Sequence, residues 1–79
     1  MASAISMELA RKSELFYETR LKTQLEASHP NAFVAIEPES GDYQLGTTMT
    51  EAMDAARSRH PDRLVYVMRV GQSAAVHIG

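Results

Sequence analysis

Ala32-Phe33-Val34-Ala35-Ile36-Glu37-Pro38-Glu39-Ser40-Gly41-Asp42-Tyr43-Gln44-Leu45-Gly46 is the stretch that decides the fold of this chain. Phe33, Val34 and Ile36 are side chains that suit a pleated, half-buried surface. Pro38 limits any ladder that follows, since it has no N–H to donate. Ser40-Gly41-Asp42 supplies turn chemistry, and Tyr43 to Gly46 reads as the return strand. The segment predicts a β-hairpin.

Immediately downstream, Thr48-Met49-Thr50-Glu51 is a capping box, a Thr hydroxyl and a Glu carboxylate three residues apart that satisfy orphan backbone donors. Met49, Ala52, Met53, Ala56 and His60 follow it at i, i+3, i+4, i+7 spacing. The small residues on this face predict a helix lying close against a sheet. It stops at His60-Pro61, because Pro disfavours helical geometry in the residue before it. Leu64 to Val70 is apolar on both sides, which predicts a central strand. Gly71-Gln72-Ser73 then reads as a turn, with Ala74 to Ile78 as a short closing strand.

Upstream, Ile5 to Ser28 holds no Gly or Pro and is rich in helix formers. Spacing its residues at about 100° gives two apolar stripes instead of one. Met7, Ala10, Tyr17, Leu21 and Leu25 form the first; Ile5, Leu9, Phe16 and Ala27 form the second. Ser13, Arg20 and Gln24 lie between them, and Leu15 stands alone among the charges. The helix ends at His29-Pro30. The segment from His29 to Val34 thereby echoes that from His60 to Val65, which we read as one helix-stop device used twice. A helix of about 24 residues is about 36 Å long, against about 20 Å for a strand of six. It therefore overhangs any sheet this chain can build. The fold class expected is α+β: one domain over residues 1–79, a long helix at 5–28, then a β-β-α-β-β unit at 32–78 with a small sheet.

Composition narrows the function. The chain has 79 residues, 44% of them hydrophobic, and no cysteine. That size gives one marginal core, often supported by a partner. Disulfides, thiol catalysis and Cys-based zinc sites are excluded. Eight basic against ten acidic side chains leave a net charge of −2, so there is no general attraction to a phosphate backbone. No apolar run approaches the length of a membrane span, and Met1 to Met7 lacks the basic-then-apolar pattern of a signal peptide. A cytoplasmic protein is expected, without membrane attachment.

The residues able to carry chemistry have simpler accounts. Glu37, Glu39 and Asp42 crowd the hairpin, but their spacing matches no calcium loop, and Pro38 and Gly41 explain the segment as a turn. His29 and His60 end helices, where the ring meets free carbonyls; with His77 they make no metal-ligand pair. No serine sits in a nucleophile elbow, and the isolated glycines cradle no phosphate. Arg57, Arg59 and Arg63 gather at the end of the second helix and read as a solvated helix end. The aromatics give no stacking platform: Phe33 and Tyr66 alternate into a core pattern, leaving Tyr43 as the exposed strand aromatic. No cofactor, metal site or catalytic residue is expected.

From Phe33 to Gly71 the chain resembles small bacterial proteins with a strand, a Gly turn, a short strand and a helix opening G-x-T-x-x-E-A. That opening is Gly46-Thr47-Thr48-Met49-Thr50-Glu51-Ala52 here. It is similar to HicB-type antitoxins, whose partial ribonuclease-H-like domain has the same run of elements. The long helix comes first in this chain, and no helix-turn-helix or ribbon segment follows. The resemblance therefore implies protein binding more readily than DNA binding, and it supplies no catalytic residue.

These observations favour a non-enzymatic, antitoxin-like protein-binding module that pairs with itself or with an adjacently encoded protein. The first helix would make the contact, through Leu9, Phe16, Tyr17, Leu21 and Leu25. Between its stripes, Tyr17, Leu21 and Leu25 are expected to pack at home, since they run up to the first strand. The alternative is a small dimeric nucleic-acid-binding regulator.

Overall fold

The computed structural model describes the backbone of residues 4–71 and the side chains of residues 7–71. Helical backbone runs through α1 (Ala4–Phe16), a π-helical segment (Tyr17–Leu21) and α2 (Lys22–Ser28). Strands β1 (Phe33–Glu37) and β2 (Asp42–Gly46) form the hairpin, followed by α3 (Met49–Arg59) and β3 (Tyr66–Arg69). The α+β class and the order helix, β-β-α-β are as the sequence predicts. The closing strand expected at Ala74 to Ile78 lies outside the described residues.

The three strands form an antiparallel sheet in the order β2-β1-β3. Opposite Val34 lie Leu45 on one side and Met68 on the other; opposite Ile36 lie Tyr43 and Tyr66. Strand alternation therefore gathers these six side chains on one face, where they meet Tyr17, Leu21 and Leu25 of the long helix. Ala35, Phe33 and Val67 point the other way, toward Ala52 and Ala56 of α3. The sheet is thus covered by a helix on each face.

The central strand is β1, whose Val34, Ala35, Ile36 and Glu37 are all buried, whereas β3 has no strand on its outer side among the described residues. The two apolar faces of Leu64 to Val70 meet the long helix on one side of the sheet and α3 on the other. Tyr43 differs from expectation: it is half-buried against the main core.

The π-helical segment explains which helix residues reach the sheet. Ser13, Tyr17, Leu21 and Leu25 are all buried at a constant spacing of four. A regular α-helix would drift by about 40° at each such step, or about 120° over the run. The Lys22 N–H instead bonds back to the Tyr17 carbonyl, five residues earlier. That widened turn takes up one residue more than an α turn and returns about 100° of the drift, leaving the four residues nearly in line. Ser13, read from the sequence as lying between the stripes, is buried for this reason. Met7, assigned to the same stripe, is left 64% exposed.

Both helix stops have one geometry. His29 and His60 each send their N–H to the carbonyl four residues back, at 2.7 Å to Leu25 and 2.8 Å to Ala56. Their backbone angles nearly coincide, at φ −137°, ψ 58° and φ −135°, ψ 69°. Each carbonyl then accepts from the residue three positions on, Ala32 and Arg63 respectively.

At the start of α3 the Glu51 N–H bonds the Thr48 hydroxyl at 3.0 Å. The Glu51 carboxylate reaches past the cap and accepts from the Thr47 N–H and hydroxyl at 2.9 and 2.7 Å. Thr48→Ala is expected to cost about 1 kcal/mol through loss of the N-cap, read as a lower urea midpoint with an unchanged slope. An unchanged midpoint would mean that water replaces the cap without loss.

Candidate functional site

With its first stripe spent on the sheet, the long helix turns its second stripe toward the loops. Phe16 lies over the β1–β2 turn, close to Gly41, which holds φ +77°. A buried carboxylate organises that turn. Glu37 accepts from the Glu39 N–H at 3.0 Å and the Ser40 N–H at 2.8 Å, and Arg63 stands 3.9 Å away. Burial pushes the Glu37 carboxyl up, but hydrogen bonds from Ser40 and Glu39 and the Arg63 charge outweigh it and hold the group below its ordinary value.

Asp42, at the start of β2, ties the hairpin to the end of α3. Its Oδ2 lies 2.9 Å from His60 Nε2 and 3.2 Å from Arg59 Nε, while Oδ1 accepts from the Tyr43 N–H. The His60 hydrogen bond, opposed by desolvation and helped by the Tyr43 N–H and Arg59, holds its carboxyl below the usual range. The three hairpin carboxylates therefore all have partners within the protein, the third being Glu39, whose Oε2 is 3.3 Å from Lys12 Nζ. Among the described residues, no three His, Asp or Glu side chains come together as metal ligands.

Since Glu37 and Asp42 ionise more easily folded than unfolded, the unfolded chain binds more protons in acid, and stability rises with pH across that window. Their stabilisation is complete above the unfolded values of about 4 and is lost as pH falls through the lower folded ones. Urea midpoints are therefore expected to drop steeply below about pH 4. Glu37→Gln should flatten that part of the curve, and a slope unaltered by the change would contradict the assignment.

Between α1, the turn and the loop before β3 lies an open groove of about 490 Å³. Leu9, Pro38 and Leu64 give it an apolar floor, and Glu8, Lys12, Glu39, Asp62 and Arg63 supply charge around it. Leu64 is 60% exposed there. A second hollow of about 370 Å³ continues along the helix past Leu15, Phe16 and Thr19. The Lys12–Glu39 pair stands between the two, since both residues line both hollows. Leu15 is 62% exposed beside it.

The five helix residues singled out from the sequence thus separate into two groups. Tyr17, Leu21 and Leu25 are buried in the protein's own core, as the packing of that stripe predicts, and are inaccessible to a partner of the folded chain. Leu9 and Phe16 line the two hollows, and Phe16 also packs against the edge of the main core. Ala27 of the same stripe is exposed, and the side chain of Ile5 lies outside the described residues. Sequence reading missed Pro38, Asp62 and Leu64 as neighbours of Leu9. They come from loops, whose approach to a helix leaves no periodic signal.

The tyrosine hydroxyls fasten the long helix in place. Tyr17 donates to Glu26 at 3.0 Å and accepts the Gly71 N–H at 3.0 Å. Tyr66 of β3 donates to Glu14 at 2.8 Å. Burial first, and then the Glu14 carboxylate, push the Tyr66 hydroxyl up to about 12. Arg59 at the end of α3 and Arg63 in the loop beyond it pair with Asp42 and Glu37, and both stay exposed, as does Arg57. No helix among the described residues is long and apolar enough to cross a membrane.

Comparison with known proteins adds no relative: no family model matches the chain, and searches of curated proteins and of solved structures return no match.

Proposed function

We propose that the protein is a non-enzymatic, cytoplasmic protein-binding module, antitoxin-like in its strand-turn-strand-helix unit. It pairs with a second copy or an adjacently encoded protein through the outer stripe of its long helix. One observation carries this reading: Leu9 and Phe16 line open hollows flanked by exposed Leu15 and Leu64, while Tyr17, Leu21 and Leu25 of the other stripe are taken up by the core. Covering an exposed Leu fully on association is worth about 1.5–3 kcal/mol, and the half-buried Leu9 and Phe16 less, against the cost of immobilising two bodies. A nucleic-acid surface has less support, since Arg59 and Arg63 are engaged with carboxylates.

Leu9→Glu together with Phe16→Glu is expected to keep a folded circular dichroism spectrum, at a lower melting temperature because Phe16 also touches the core, and to abolish association. Light scattering of the purified protein and recovery of complexes from its host read the second effect. A stable wild-type monomer with no recovered partner, or a complex that survives the double change, would sink the reading.

A further inference from the structure

We propose that the groove between the first turns of α1 and the loop before β3 docks a cationic segment of a partner protein. An apolar side chain of that segment seats on Leu9, Pro38 and Leu64, with Lys or Arg beside it. The inference rests on the protein-binding function above and supplies the chemistry of the partner.

Its ground is the distribution of charge. Four of the chain's ten carboxylates line the groove, but only two of its eight basic side chains. The lining therefore carries a formal charge of −2, equal to that of the whole chain, and the six acidic and six basic side chains elsewhere cancel. Both cations of the lining already face carboxylates of the lining, Lys12 with Glu39 and Arg63 with Glu37. Glu8 and Asp62 are both exposed, one on the helix wall and one on the loop wall. Asp62 has no ion-pair partner among the described residues. Glu8 pairs with Arg11 at 2.6 Å; like the pair of Lys12 with Glu39 it is solvent-exposed, and exposed pairs contribute little, so the acidic excess is that of the lining as a whole.

An apolar floor between two acidic walls selects for a long cationic side chain and an apolar neighbour together. The stem of Lys or Arg covers apolar surface while its head meets a carboxylate. The low-dielectric floor strengthens that attraction relative to open water. An anionic partner would meet the same walls as repulsion, which gives the groove selectivity as well as affinity.

The test uses the full chain and a phage-displayed library of random peptides as the probe. Selected peptides are expected to carry Lys or Arg next to Leu, Ile, Phe or Met, and to bind less well as salt rises. Glu8→Lys with Asp62→Lys changes only exposed side chains and should keep the melting curve while weakening those peptides about tenfold or more. Selection of acidic or uncharged peptides, an empty selection, or a charge reversal without effect would overturn the inference. The Leu9→Glu, Phe16→Glu result is scored separately. If that variant loses its complex while no basic peptide is selected, the binding function stands and only the partner chemistry falls.

Discussion

Replacing Tyr17 and Leu21 together by Glu is expected to abolish folding, with loss of the helical circular dichroism and of any cooperative melt. Tyr17 is fully buried and Leu21 nearly so, both in the core cluster that includes Val34 and Ile36 of β1. Truncating a buried Leu costs about 2–5 kcal/mol and a large aromatic about 3–5. Placing a carboxylate at each position adds the cost of an unpaired buried charge, several kcal/mol more. The change also removes the hydroxyl that joins Glu26 to the Gly71 N–H, and sets a new negative group near Glu26. A small domain has only about 5–15 kcal/mol to lose. The contrast with Leu9 and Phe16 is the informative part: four substitutions on one helix should separate into one pair that destroys the fold and one that does not. A cooperative melt from the Tyr17, Leu21 variant would mean that the helix docks on the sheet by another face.

A second large effect is expected where α3 meets the sheet. Gly46 stands opposite Phe33 in the register, and a Cβ added there would lie 2.5 Å from the Ala52 backbone nitrogen and 2.8 Å from Glu51 Cβ. The first turn of α3 would have to lift. Gly46→Ala should therefore destabilise despite removing the conformational freedom that Gly gives the unfolded chain. Ala52 and Ala56 face Ala35 across the same contact, all three buried. Ala52→Leu or Ala56→Leu inserts methylenes into a filled space, at about 1–3 kcal/mol or more each. Urea midpoints would register all three, and bulky residues tolerated at both alanines would mean that this face of α3 is open to solvent.

The sequence disclosed the layers more fully than it disclosed their order. The hairpin was readable because Gly41 and Asp42 punctuate two short apolar runs, and α3 because Thr48 and Glu51 mark its start while Ala52 and Ala56 mark its face. These are local signals that act within one turn of helix or one strand. Strand order is not local. Val67 and Met68 bear the same apolar side chains whether their strand lies in the middle of a sheet or at its edge beneath two helices, so the pattern of Leu64 to Val70 does not reveal that it pairs with β1. The π-helical segment was hidden for a related reason: a wheel drawn at constant angle cannot show a turn of different width. The spacing of Ser13, Tyr17, Leu21 and Leu25 was the available signal, and the small polar Ser13 concealed it.

The candidate site was half visible. Two apolar stripes on one helix announced that one of them would be left over, and the residues of both could be named. What could not be read was the opposite wall. Pro38, Asp62 and Leu64 belong to connections that no periodicity governs, and their approach to Leu9 depends on how the turn stacked on Phe16 and the loop held by Arg63 are anchored. The charge of the groove is likewise a property of assembly. Glu8 and Asp62 are separated by most of the chain and form one acidic rim only after folding.

The widened turn at Tyr17 to Leu21 also divides the long helix mechanically. Its C-terminal portion is keyed to the sheet by Leu21 and Leu25, and its N-terminal portion presents Leu9 to the groove. The helix holds one residue beyond what a uniform spiral needs between them. Removing a residue there would restore the uniform spiral and leave the burial line of Ser13 to Leu25 intact. Removing one elsewhere in α1 would instead turn every earlier side chain by about 100° about the axis. Length at the widened turn is therefore slack, whereas length on the groove side of it sets the aim of Glu8 and Leu9.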